Sequence, residues 1–270
     1  ESGLEDWKRW GPYVSDRQWG TCREDYGSDG NSWNYVPFHV AHRVAYRWGE
    51  DGIAGFCDSE QRFCVSLAMW NGRDPILKER LFGLGGPQGN HGEDVKDLYY
   101  YLDATPTHSY LKMLYKYPQK PFPYDEVRRK NAALGSQDLE YELMDTGIFD
   151  DDLYFDVFVE YARAGVDDIL LCITAVNRGA EAAELHLLPQ AFFRNTWTWG
   201  SEEGEWPTLE PVEAGHVLAR HPTLGQLHVL VDGDAKTLFC ENETNVEALK
   251  DDKGLVPFQL AEDVAEEASV

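Results

Sequence analysis

From Leu153 onward the chain alternates. In LYFDVFVEYA, Phe155, Val157, Val159 and Tyr161 fall on one side and Tyr154, Asp156, Phe158 and Glu160 on the other. A period of two places one apolar face against a core and predicts a half-buried strand. DDILLCITAVNRGAEAAELHLLPQAFF continues with two β-rich runs around the polar turn NRGAE, which predicts a hairpin. HVLARHPTLGQLHVLVDGDAKTLFCE repeats the scheme, with turns at 222–225 and 232–234. Upstream, AGFCDSEQRFCVSLAMWNG reads as two strands about a polar turn at 58–61, and KERLFGL as a further short strand. VKDLYYYLDATPTHSYLKMLYKYP is aromatic and β-inclined, punctuated by Pro106 and Pro118. The polar stretch 119–140 predicts one short helix over 126–133. Strands at about ten-residue spacing with few helices predict a mainly β protein, a large antiparallel β-sandwich. The expected organisation is a loop-rich lead-in over 1–35, a sandwich over 36–245, and an acidic tail or short helix over 246–270. From 241 to 270 there are nine acidic residues against two basic ones, which favours a solvated end over a packed one.

Composition narrows the partners. The net charge of −24, with no basic cluster to offset it, argues against nucleic acid and against anionic membrane surfaces. Neutral ligands remain, sugars among them, since these are held by rings and hydrogen bonds. Acidity also serves solubility alone. Nine Trp, fourteen Tyr and twelve Phe supply rings for packing and for ligand stacking. Five cysteines, at 22, 57, 64, 172 and 240, are odd in number and lack CxxC spacing, so neither a disulfide framework nor a zinc ribbon is expected. Reduced thiols point to the cytoplasm. No apolar run approaches a membrane span, and the start ESGLEDWKRW is not a signal peptide. The sequon NET at Asn242 has no role without secretion.

Most chemical motifs dissolve on inspection. GLGGPQG has neither phosphate-loop spacing. DYGSDGN lacks the glutamate that would close a calcium loop. His39 and His42, and likewise His216 and His221, lack a third ligand, so structural hydrogen bonds are expected and no metal or other cofactor is. There is no GxSxG elbow, and Cys22 in RQWGTCREDYG has no evident imidazole partner. The carboxylates of FDDDLYFD and RWGEDG suit turns as well as they suit acid–base work. The tryptophans are more informative. In NTWTWG, Trp197 and Trp199 stand two apart and on a strand would share a face, suited to stacking on a sugar or to packing in a core or interface.

Several long segments together resemble the N-terminal part of large bacterial proteins of glycoside hydrolase family 63, similar to the mannosyl-oligosaccharide glucosidases. They are WKRWGPYVSDRQWGTCREDYG, AYRWGEDGIAGFCD, LAMWNGRDPILKERLFGL, GNHGEDVKDLYYYLDATPTHSYLKMLYKYP and LHLLPQAFFRNTWTWG, in order from about Leu4 to about Asn245. Cys22 and FHVAHR depart from the family pattern. The resemblance implies a glycosidase N-terminal super-sandwich, a non-catalytic support for an (α/α)-barrel that hydrolyses α-glycosidic bonds with inversion. It places both catalytic carboxylates on the barrel, so no catalytic residue is expected in this chain and no hydrolysis by it alone. Candidate sugar or domain-interface residues are Arg194, Asn195, Trp197 and Trp199 of RNTWTWG, Asn90, His91, Glu93 and Asp94 of GPQGNHGED, and Trp70. The expected partners are an oligosaccharide or α-glucoside and a catalytic barrel in cis or in trans, with self-association through an exposed aromatic face. A stand-alone carbohydrate-binding module and an interaction domain are the alternatives.

Overall fold

The computed structural model describes residues 6–11, 38–48, 51–85, 88–89, 94–199, 205–233 and 235–251. Strands dominate. β1 (Ile53–Cys57) and β2 (Phe63–Trp70) form a hairpin, and β3 (Gly83–Leu84) and β4 (Asp94–Val95) a short pair. β5 (Tyr99–Ala104), β6 (Tyr110–Pro118), β7 (Tyr154–Arg163) and β8 (Ile169–Asn177) build a four-stranded antiparallel sheet in that order. β9 (His186–Phe193) returns to the first sheet beside β2. β10 (Thr208–Glu213), β11 (His216–His221) and β12 (Gly225–Leu230) make a third antiparallel sheet. The helices are short: α1 (Phe38–Ala41), α2 (Tyr124–Ala132) and α3 (Val246–Asp251). None among the described residues is long and apolar enough to cross a membrane.

The alternation at Leu153 becomes β7 with the predicted face inward. Phe155, Val157, Val159 and Tyr161 are buried opposite Tyr117, Tyr115, Met113 and Leu111 of β6. The outward face carries matched charges, with Lys112 opposite Glu160 and Lys116 opposite Asp156, at 3.2 and 2.6 Å. The inward residues meet Ile53, Phe56, Leu67 and Met69 of the first sheet in one core, joined by Ala219 of β11. Tyr161 spans the layers: its ring stacks on Phe56 at 4.8 Å and its hydroxyl donates to the Ala54 carbonyl at 2.6 Å. Ala54 sits in a bulge of β1 with φ of 51°, an uncommon setting for a residue with a Cβ.

Two expectations about strand pairing are corrected. β8 and β9 are not a hairpin. β8 pairs with β7, whereas β9 pairs with β2 from Phe63 opposite Phe193 to Trp70 opposite His186. The turn at Asn177 does form, since its Oδ1 accepts the Gly179 amide at 2.9 Å. Residues 178–185 then carry the chain across to the other layer. Period two fixes which face is buried and leaves the partner open. Likewise KTLFCE adds no strand after β12; the third strand of that sheet is β10, which precedes the other two. The helix predicted over 126–133 is α2, beginning two residues earlier.

A second apolar cluster lies beneath α2, formed by Ala41, Phe82, Leu84, Phe122, Tyr124, Val127, Leu143 and Ile148. Charge is buried beside it. The Lys78 amine and the Asp97 carboxylate, both without solvent exposure, pair at 3.3 Å. The amine lies 3.7 Å from the Phe122 ring centroid and 4.7 Å from that of Tyr124, a cation–π setting. Asp97 also accepts from the Tyr115 hydroxyl at 2.7 Å and from the Phe82 amide. Asp74 is held by the hydroxyls of Tyr117 and Tyr124 at 2.9 and 3.1 Å.

Candidate functional site

The end of β9 delivers Arg194, Asn195 and Trp197 to one place. Trp197 and Trp199 do not lie on a strand. They open and close a three-residue 3-10 turn, so the shared strand face expected from their spacing is absent. The turn forms because Asn195 caps it: its Oδ1 accepts the Thr198 hydroxyl at 2.8 Å and the Thr198 amide at 3.3 Å. Asn195 is fully buried, with its amide nitrogen donating to the Asn242 carbonyl at 2.7 Å and to Glu243 at 3.2 Å. Its polar atoms are engaged within the protein. Arg194 lies with its guanidinium 4.9 Å from the Trp48 ring centroid.

Trp197 is oriented from two sides. Its indole N–H donates to Glu243 at 2.6 Å, and its ring stacks on Trp206 at 6.1 Å with planes 26° apart. Trp206 is the outer ring and is 61% exposed. The Glu243 carboxylate uses one oxygen for Trp197 and the other for Asn195, so it acts as an orienting group. The result is a two-indole step in which the inner ring is held and the outer ring is open.

Beneath it is a rigid floor. Asn242 accepts the Tyr46 amide at 2.7 Å and donates to the carbonyls of Tyr46 and Phe193 at 2.8 and 2.9 Å. Both hydrogens of its amide nitrogen are therefore in use, and the NET sequon is a structural clamp in this fold. Tyr46 stacks on Phe192 at 4.6 Å and donates its hydroxyl to Glu79 at 2.8 Å. Burial, reinforced by the Glu79 carboxylate, pushes this phenol well above its ordinary range, so it stays a donor.

The other candidates lie apart. Trp70 ends β2, seven residues along the ladder from Phe63, which at strand rise is roughly 23 Å from the β9 end. Its indole N–H donates to the Asp74 carbonyl at 2.9 Å, and its ring meets His186 at 5.4 Å. Asp94 pairs through its backbone with Leu84. Asn90, His91, Glu93, the side chains of Asp94 and Trp199, and the whole of RQWGTCREDYG with Cys22 lie outside the described residues. Among the described residues no group of three His, Cys, Asp or Glu could hold a metal. His42 bonds instead to the Phe38 carbonyl at 3.2 Å, and burial lowers its pKa. Sequence reasoning missed Trp206 and Glu243. Nothing in the pattern joins positions 46 residues apart in the chain, and a lone exposed Trp carries no periodicity.

No protein-family model matches the chain, and no solved structure matches it. Over 97% of its length it is 42% identical to the uncharacterized protein YMR196W of Saccharomyces cerevisiae. The chain spans 27% of the length of that relative.

Proposed function

We propose that this chain is the non-catalytic N-terminal β-sandwich of a glycosidase-like protein of the family 63 type, and that its Trp197–Trp206 step stacks on a neutral, glucose-containing oligosaccharide. The observation that carries the sugar contact is the open Trp206 ring, backed by an indole that Glu243 holds in place. Sugars present apolar C–H faces that lie on such rings, and Trp206 rests on an inner ring that is already held. An acidic surface tolerates a neutral ligand. The domain role draws its support from the sequence resemblance and from the yeast relative, whose length leaves room for a further domain.

Titration calorimetry with a glucose-containing oligosaccharide tests the binding. Saturable heat at millimolar sugar is expected for the native chain. Trp206→Ala should abolish it while leaving the thermal midpoint unchanged, because the ring is mostly in solvent. No heat from the native chain would overturn the sugar contact. Hydrolysis of an aryl α-glucoside by the purified chain would overturn the non-catalytic role.

A further inference from the structure

We propose that Cys57 and Cys64 are a redox pair, closing to an intramolecular disulfide under peroxide and reopening under thiol reductant. The two are direct partners across the β1–β2 hairpin, so their side chains leave the same face. The Cys57 carbonyl turns away from Cys64 to accept the Gly11 amide at 3.0 Å, and the next pair toward the turn is joined by the Asp58 amide donating to the Phe63 carbonyl at 3.4 Å. That places the cysteines at a non-hydrogen-bonded position, where Cα atoms stand about 4.5 Å apart. Disulfides span Cα separations of about 4.4–6.8 Å, so closure needs no strand movement.

The turn holds this register. The Asp58 carboxylate accepts the amides of Glu60, Arg62 and Phe63 at 3.1, 2.7 and 2.8 Å. The two thiols differ in access. Cys57 is half-buried, whereas Cys64 is fully buried and donates its S–H to the Gln61 carbonyl at 3.5 Å. Burial, with the Cys57 sulfur beside it, pushes the Cys64 thiol well above its ordinary pKa, which keeps it from reacting with peroxide directly. Cys57 is the sulfur a peroxide reaches. Its thiol and hydrogen peroxide give a sulfenic acid and water; the Cys64 thiol then displaces the sulfenic hydroxyl, forming the S–S bond and releasing a second water. The two sulfurs give up two electrons to the peroxide, and a dithiol reductant returns them.

The test is peptide mapping of the full chain by mass spectrometry after graded hydrogen peroxide. The expected product joins the Cys57 and Cys64 peptides with loss of two hydrogens, and dithiothreitol restores both thiols. The exposed Cys172 and Cys240 report the oxidant dose in the same sample. In Cys57→Ser, peroxide oxidation of Cys64 should slow by about tenfold or more, since only the buried thiol remains. The proposal is overturned if Cys57 proceeds to sulfinic acid while Cys64 stays free. It is also overturned if both stay reduced at a dose that consumes Cys172 and Cys240, or if Cys64 oxidises at an unchanged rate in Cys57→Ser.

Discussion

Between the sheets, Met113, Val157, Val159 and Leu67 are buried by register alone, each strand presenting alternate residues to the opposite layer. Beneath α2, by contrast, burial depends on a specific set of bonds. The Lys78 amine is caged by rings and paired with Asp97, and Asp97 in turn is held by Tyr115 and the Phe82 amide. The first kind of core tolerates exchange among apolar residues of similar volume. The second does not, because any change that removes one partner strands another away from water.

The largest expected effect breaks the second core. Lys78→Met leaves Asp97 buried without its cation and should cost about 3–5 kcal/mol in denaturant unfolding. Burial already raises the Asp97 carboxyl above its ordinary 3.8, despite the Lys78 amine and two hydrogen-bond donors. A raised acid contributes stability that is complete below its unfolded value and is lost as pH rises through the folded one. The deficit of Lys78→Met should therefore be larger at neutral than at mildly acidic pH, and adding Asp97→Asn should recover part of it. Val157→Ala, in the first core, should cost about 2 kcal/mol through lost methyl burial and the cavity left behind, with no pH dependence. The smallest effect belongs to Asp156. Burial acts to raise this carboxyl, but hydrogen-bonded pairing with Lys116 and Arg178 outweighs it and the acid is lowered below 3.8. Its stability is present above that value and is lost as pH falls through the folded one, the reverse of Asp97. Unfolding midpoints measured from about pH 5 to about pH 2 should fall less steeply in Asp156→Asn than in the native chain.

The same contrast decides what was legible in the sequence. The inward face of β7 was readable because alternation is local, as were the turns at 58–61 and 222–225. The sheet to which β9 belongs was not, since its pairing to β2 joins residues more than a hundred positions apart. The candidate site was legible only in its first part. Arg194, Asn195 and Trp197 lie in one segment and come together, but the anchoring of Asn195 to Asn242 and the orientation of Trp197 by Glu243 depend on chain 47 and 46 positions away. Asn242 shows the same limit: read locally it is a sequon, and in the fold it ties Tyr46 to Phe193.

The clamp between Tyr46 and Asn242 also sets a schedule for folding. The two residues are 196 apart in the chain, and the β2–β9 ladder closes a shorter gap of more than a hundred positions. During synthesis β2 is complete at residue 70, but its second neighbour does not exist until residue 193. At cellular rates of about 5–20 residues per second, that strand edge stays open for roughly 6–25 s. An unpaired edge is a template for the wrong chain, so the nascent hairpin stays open to mispairing until β9 arrives.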